Sequence, residues 1–303
     1  MSTVALSDAV GTALAEGAPI VALESTVYSN LGLPTPDNEA ALRRSVAAIH
    51  ALGAVPAVTA VIDGTLRAGI EEHEWERVLT ADHKTAERDL PVAVGQRWSV
   101  GVTTVSASLA IAATAGIAVF ATGGIGGVHR EWGRTGDISA DLGAIARHPV
   151  ATVSAGAKSF LDLEHTLEAL ETLGAPVIGW QTDEFPAFTA RTSGLPIPHR
   201  CDDIGELSRI VSAQRDFGRG ALIVTPVPEQ DALDQAIHDA ALTDALNAVD
   251  KEGIVGAAVT PFVLGRIAAA TEGASIPANL ALVENNARLA ASLAVALGSG
   301  TEH

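Results

Sequence analysis

Lysine is the scarcest charged residue in this chain, present only at Lys84, Lys158 and Lys251, while arginine supplies the rest of the positive charge. Arginine cannot stand in for lysine in Schiff-base chemistry, because a guanidinium does not deprotonate in proteins. Lys251 lies between Asp250 and Glu252 in an acidic stretch, where a solvated role suffices. Lys158 lies in Ser154-Ala155-Gly156-Ala157-Lys158-Ser159, directly after an apolar run. Small neighbours leave room for a substrate, and burial disfavours an ammonium relative to a nucleophilic amine. The competing role for such a lysine is a plain ion pair in a tight strand-to-helix turn.

Three further segments could carry chemistry. Val21-Ala22-Leu23-Glu24 is an apolar strand ending in a carboxylate. A carboxyl at such a strand end should hold its proton more tightly than usual and could donate it; a surface or helix-capping glutamate is an equal alternative. Thr122-Gly123-Gly124-Ile125-Gly126-Gly127-Val128-His129-Arg130 also follows an apolar run. Its glycines could bring backbone N–H groups together on an anion, with His129 and Arg130 alongside, although glycine loops are often only turns. The spacing is not a dinucleotide fingerprint, because His129 stands where a third glycine would be needed. Asp137-Ile138-Ser139-Ala140-Asp141 places two carboxylates four residues apart, suited to Mg²⁺ or Mn²⁺ or, more simply, to a helix cap and first-turn charge.

The elements that must position these residues alternate between short apolar strands and amphipathic helices. The pattern predicts strands at 20–23, 56–62, 117–121, 150–153, 177–179 and 222–225, and a hairpin turned by Asp63-Gly64. Helices are expected over 37–52, 103–115, 139–147, 161–173 and 203–216, with an almost wholly helical part from Glu229 onward, broken at 253–256 and 273–277. Such alternation implies an α/β fold: a layered α/β/α sandwich with a mixed central sheet covered by helices on both faces, as one domain over residues 1–303. The stretch from Phe185 to Pro198 is the segment long enough to be a linker or lid.

Composition narrows the function. With 303 residues and 48% apolar content the chain can bury a large core, and at 4% aromatics that core must rest on Ala, Val, Leu and Ile. A net charge of −17 with no basic run argues against nucleic acid and anionic membranes as partners. The long apolar runs, such as 106–121, stop short of a membrane span. No signal peptide is legible at the start, and the single cysteine, Cys201, fits a reducing cytoplasm. No HExxH zinc motif and no G-x-S-x-G elbow competes.

Read together, the strings ALEST (Ala22–Thr26), GAVPA (Gly53–Ala57), RDLP (Arg88–Pro91), GVTTV (Gly101–Val105), ATGGIGGVHR (Ala121–Arg130), DISADL (Asp137–Leu142), AGAKS (Ala155–Ser159), TDEFPAF (Thr182–Phe188), VTPF (Val259–Phe262) and NLALVENNA (Asn279–Ala287) closely resemble the pseudouridine-5′-phosphate glycosidase, or indigoidine-synthase A-like, family. The match runs in order along nearly the whole chain. The resemblance implies a cytoplasmic homotrimer that binds Mn²⁺ and reversibly cleaves pseudouridine 5′-phosphate to uracil and ribose 5-phosphate. By the same resemblance Glu24 is the proton donor and Lys158 the nucleophile, with Asp137 the metal ligand. Lys84, Val105, Ser139, Ala140 and Asp141 are substrate contacts. Thr122 and His129 look like pocket residues near the ribose phosphate, and Asn279 fits the asparagine that reads the pyrimidine.

The family's chemistry needs such a set. A C–C glycosidic bond has no heteroatom leaving group, so the ribose ring must open and a lysine must hold the sugar as a Schiff base. Two places depart from the family's pattern: Ser29-Asn30-Leu31-Gly32-Leu33-Pro34 replaces a shorter loop with a histidine, and Glu87 replaces a common arginine. Both are expected near the pocket, and they make a C-glycosynthase, joining ribose 5-phosphate to another aromatic acceptor, the second reading. A Schiff-base aldolase would share Lys158 without needing Asn279, and a non-catalytic binding protein would need neither.

Overall fold

In the computed structural model, which describes residues 4–254, 256 and 259–299, eleven strands form one sheet. They are β1 (Ala5–Leu6), β2 (Ile20–Leu23), β3 (Val55–Ile62), β4 (Thr65–Ala68), β5 (Lys84–Thr85), β6 (Val100–Thr103), β7 (Val119–Ala121), β8 (Ala151–Ser154), β9 (Val177–Trp180), β10 (His199–Cys201) and β11 (Ala221–Val224). The order is β1-β4-β3-β2-β7-β8-β11-β9-β10, with β6 also pairing with β3 and β5 with β6. From β3 to β10 every neighbouring pair is parallel, whereas β4 and β6 run antiparallel to β3. The sheet is therefore mixed, as expected from the sequence. The β3–β4 hairpin turns at Asp63 (φ 51°) and Gly64 (φ 72°), both left-handed, as a tight two-residue hairpin of primed type requires.

Strand β2 shows how the sheet holds its layers. All four of its residues are buried, with Ile20 and Ala22 in one core and Val21 and Leu23 in the other, as the two-residue period of a strand dictates. The first core is covered by the helices Asp8–Glu16, Val105–Ala115, Ala140–Arg147 and Leu163–Leu173. The second is covered by Asp37–His50, Ile204–Asp216 and Ser275–Ser299. Burying each Leu, Ile or Val against these layers contributes about 1.5–3 kcal/mol, which lets an aromatic-poor chain hold together. The helices start where short polar side chains cap them: Ser139, Asp162 and Asp203 each accept a backbone N–H from the first turn.

Some expectations need correction. Thr103 belongs to β6 and not to the following helix, which begins at Val105. Short strands such as β1 and β5, two residues each, have no hydrophobic period to announce them. Pro277 does not break a helix but sits in the first turn of Ser275–Ser299, where its missing N–H costs nothing. The break at 253–256 includes Val255, which lies outside the described residues. Ser275–Ser299 is also long and apolar enough to span a membrane, which the sequence reading overlooked; it is instead packed on the sheet, with Leu282, Ala290 and Leu293 fully buried. The 185–198 stretch is no linker: Phe185 and Phe188 are buried, and Phe188 N–H donates to the Ala155 carbonyl at 3.0 Å.

Candidate active site

The carboxyl ends of three adjacent parallel strands supply the centre of the site. Glu24 follows β2, Thr122 follows β7 and Lys158 follows β8, with β7 lying between the other two. This is where an open α/β sheet presents its ligands. Glu24 is buried, with 7% of its surface exposed. Burial pushes its carboxyl up to about 7, against the pull of Lys158; Asp141 adds to the rise, while Lys84 and Thr122 oppose it. The Thr122 hydroxyl is itself buried, beside Glu24 but outside normal hydrogen-bond geometry. Lys84, at the start of β5, is exposed as a residue, yet its ammonium reaches the same group: burial lowers its pKa, Lys158 lowers it further, and Asp141 and Glu24 raise it. Two of the chain's three lysines thus converge on one acid.

Asp141 is held rigidly. Its Oδ1 accepts the Ser106 N–H at 3.0 Å and its Oδ2 accepts the Gly126 N–H at 2.9 Å. The first of these amides lies in the opening turn of Val105–Ala115, whose N-terminal dipole favours a carboxylate there. Val105 is the buried first residue of that helix; Ser139 is the N-cap of Ala140–Arg147, whose first residue, Ala140, is exposed. Asp137 and Asp141 do not share a helical face. Asp137 precedes the helix, where Val128 and Ile138 bridge antiparallel, and its carboxylate is 3.8 Å from His129 Nδ1. His129 and Asp137 form an outer, half-exposed group at the lip.

Part of the glycine loop's set of amides is committed within the protein. The N–H groups of Ile125, Gly126, Val128 and His129 already donate to Gly156 O, Asp141 Oδ2, Thr166 Oγ1 and Asp137 O. What its glycines permit is close approach. A Cβ on Gly124 would meet the Phe188 ring at 2.7 Å, and one on Gly126 would meet Ser139 Oγ at 2.4 Å. The loop is zipped to the Lys158 turn, since Ala155 N–H donates to Gly123 O at 2.8 Å and Lys158 N–H to Ile125 O at 3.2 Å. Gly156 is needed on both counts: its φ is 75°, and a Cβ there would meet Pro186 O at 2.0 Å.

A cavity of about 250 Å³ opens next to the Lys158 turn, lined by Ser159, Phe188, Thr189, Asn279 and the segment 30–34. Asn279 Oδ1 is buried there without a hydrogen-bond partner, an acceptor left available. Phe188 holds a left-handed backbone (φ 63°) against this cavity. Sequence reasoning missed Phe188 and Ser159 as lining residues, although both sit inside strings already singled out. It also missed the hydroxyl cluster beneath Glu24, in which Thr103 Oγ1 lies 2.8 Å from Thr59 Oγ1 and 3.0 Å from Ser25 Oγ.

The family model for indigoidine synthase A-like proteins matches residues 9–296. The chain belongs to that family. Similar indigoidine synthase A-like proteins include the pseudouridine-5′-phosphate glycosidase of Myxococcus xanthus, 50% identical over 96% of this chain and 97% of that protein. The enzyme of the same name from Caldanaerobacter subterraneus is 47% identical over 96% of each chain. Among solved structures, the prealnumycin C-glycosynthase AlnA in complex with ribulose 5-phosphate superposes with a TM-score of 0.90 at 39% identity, covering 99% of this chain and 98% of its own. An indigoidine synthase A-like protein from Thermotoga maritima gives a TM-score of 0.84 at 35% identity, over 93% and 94% of the two chains.

Within this family frame the two departures separate. Asn30 to Pro34 do line the cavity that holds Asn279. Glu87 does not face it: its carboxylate takes Arg147 Nη2 at 2.5 Å and His148 Nε2 at 3.0 Å, at the far end of the helix that begins beside Asp141. The expectation that Glu87 edits the pocket is corrected, because both its oxygens are engaged elsewhere. Glu87→Arg should therefore lower stability and leave acceptor choice unchanged. Setting a cation against Arg147 and His148 should cost about 1–2 kcal/mol, a fall in melting temperature of roughly 2–5 °C. Calorimetry beside an acceptor panel checks this, and a changed panel with unchanged melting would contradict it.

Asp137 was tested as a metal ligand on its donor chemistry. Among the described residues no group of three or more His, Cys, Asp or Glu surrounds a common point. That excludes a closed zinc cage there and fits a hard ion that keeps most of its water, held by one carboxylate and substrate oxygens.

Proposed function

We propose that this chain cleaves the C–C glycosidic bond of pseudouridine 5′-phosphate, reversibly, with Lys158 as the covalent nucleophile and Glu24 as the proton carrier. The observation that carries this reading is the meeting of one buried carboxyl after β2, held up to about 7, with Lys84 at the start of β5 and Lys158 after β8. In the cleavage direction Glu24 protonates the ribose ring oxygen as the Lys158 amine attaches to C1′, opening the ring. The attached nitrogen returns a proton to Glu24, which passes it to the uracil carbon; the bond to C1′ then breaks with its electron pair leaving on the uracil, and the Lys158 nitrogen lone pair fills the electron-deficient C1′ as a C=N bond. Water adds to that bond and releases ribose 5-phosphate as the free aldehyde, restoring the amine. Lys84 meets the charge of the sugar phosphate or its hydroxyls, Val105 packs beside it, and Ser139, Ala140 and Asp141 line the sugar. Thr122 and His129 stand near the phosphate, and Asn279 offers its free oxygen to a uracil N–H.

Mn²⁺ held by Asp137 would supply charge neutralisation for the phosphate-bearing sugar when bound. Chelation should abolish activity and Mn²⁺ restore it, better than Zn²⁺. Asp137→Ala should weaken Mn²⁺ binding at least tenfold, read directly by titration calorimetry; unchanged binding would assign the metal elsewhere. A homotrimer and a cytoplasmic setting belong to the same reading, the first checked by light scattering.

The deciding assay is incubation with pseudouridine 5′-phosphate and Mn²⁺, followed by release of free uracil. A second reading, C-glycosynthesis onto another aromatic acceptor, is favoured by the departing segment 30–34 in the cavity wall and by the likeness to a C-glycosynthase. Comparing synthetic rates for uracil and a panel of electron-rich rings separates the two.

A further inference from the structure

We infer that Asn286 is a positioning residue that fixes the glycine loop, and through it Thr122 and Lys158, from the opposite side of the sheet end. It lies in Ser275–Ser299 and is fully buried. Its neighbours on that buried face are Leu282, Val283, Ala287, Leu289 and Ala290, so a polar side chain here is costly unless it is hydrogen-bonded. Its Nδ2 donates to Thr122 O at 2.7 Å and to Gly123 O at 3.1 Å. The Gly123 carbonyl also accepts Ala155 N–H at 2.8 Å, so a single oxygen ties the helix, the loop and the Lys158 turn together. Glycine at 123 eases the helix's approach, since a Cβ there would press on Val283 at 3.3 Å and touch Leu282 at 3.4 Å.

Asn279, in the cavity wall, stands seven residues earlier on the same helix, hence on the same face two turns away. One rigid helix thus carries both the cavity's free acceptor and the clamp on the loop beside Glu24. Asn286 Oδ1 and Thr122 Oγ1 are both buried without protein partners, which marks this junction as polar and not merely packed.

The inference rests on the C-glycosidase reading for its kinetic consequence, and on hydrogen exchange for its structural one. Asn286→Leu keeps the shape and removes both donors. The expected result is a fall in kcat of at least tenfold with KM for pseudouridine 5′-phosphate within threefold. Amides of residues 122–128 should exchange at least tenfold faster, while those of Val177–Trp180 do not change. Asn286→Ser, which keeps one donor, should fall between, and it carries the comparison if the leucine variant does not fold. Unchanged loop exchange, or a lowered melting temperature with unchanged kcat, would overturn the inference. If the wild type releases no uracil, the functional reading fails, and loop exchange alone decides the role of Asn286.

Discussion

Lys158→Ala is expected to fold normally and to lose turnover by about 10⁴-fold or more, because no other group can hold the sugar while the C–C bond breaks. Folding should survive since the side chain is only partly buried among small residues, and the turn is held by backbone bonds from Lys158 N–H to Ile125 O and from Leu161 N–H to Lys158 O. Lys158→Arg keeps the positive charge beside Glu24 but cannot form an imine, so it should be equally inactive; activity there would mean that the lysine acts only electrostatically. Borohydride added to the wild type with ribose 5-phosphate should attach the reduced sugar to the peptide carrying Lys158. Lys84 is the internal control, since it stands in the same site with a lowered pKa. Attachment at Lys84, or at neither lysine, would sink the assignment.

Glu24→Gln should cost at least about 10²-fold in kcat, the usual scale for a general acid. The wild-type rate of cleavage should fall above about pH 7, where the Glu24 proton is lost, and this limb should vanish in the glutamine variant. The same shift acts on stability with a definite sign. A carboxyl whose folded value is about 7 and whose ordinary value is 4.5 binds its proton more tightly in the folded state. Raising the pH through that window therefore destabilises the fold, with the full cost, about 3 kcal/mol, present above 7. Glu24→Gln should melt higher than wild type at pH 8 by roughly 5 °C and equally at pH 4. Equal melting at both would place the carboxyl in water and remove the physical basis for its role.

The sequence made the site legible wherever chemistry depends on residue type at a strand end. Glu24, Lys158 and the glycine loop each follow an apolar run, and the fold sets those runs side by side as β2, β8 and β7. Lysine scarcity singled out Lys84 and Lys158, and the same two residues act electrostatically on one carboxyl, Glu24. What stayed hidden was direction. Nothing local says that Asp141 turns inward to two amides while Asp137, four residues earlier, remains at the lip with His129. Nor could spacing tell that Glu87, three residues after Lys84, faces Arg147 and His148. The glycines also have steric work, which depends on Phe188 and Ser139, and only the folded chain brings those near.

The strand-end cluster around Glu24 and the cavity beside it are built from different materials, and this governs how the protein can change. The strand-end side is fastened by main-chain bonds between 123–125 and 155–158, and a Cβ on Gly124 or Gly156 would meet Phe188 or Pro186 O at 2.7 or 2.0 Å, so substitution at either glycine is a lesion. The cavity wall includes the segment Asn30 to Pro34, where Asn30 and Pro34 are exposed and Leu31 half-buried, while Leu33 anchors it in the second core. Inheritance can therefore hold the electrophile's mooring constant while the wall drifts. On the proposed C-glycosidic chemistry, a laboratory library randomised at Asn30 and Leu31, with Leu33 kept as the core anchor, would sample new ring partners for ribose 5-phosphate and make the scaffold a starting point for carbon-linked nucleoside synthesis.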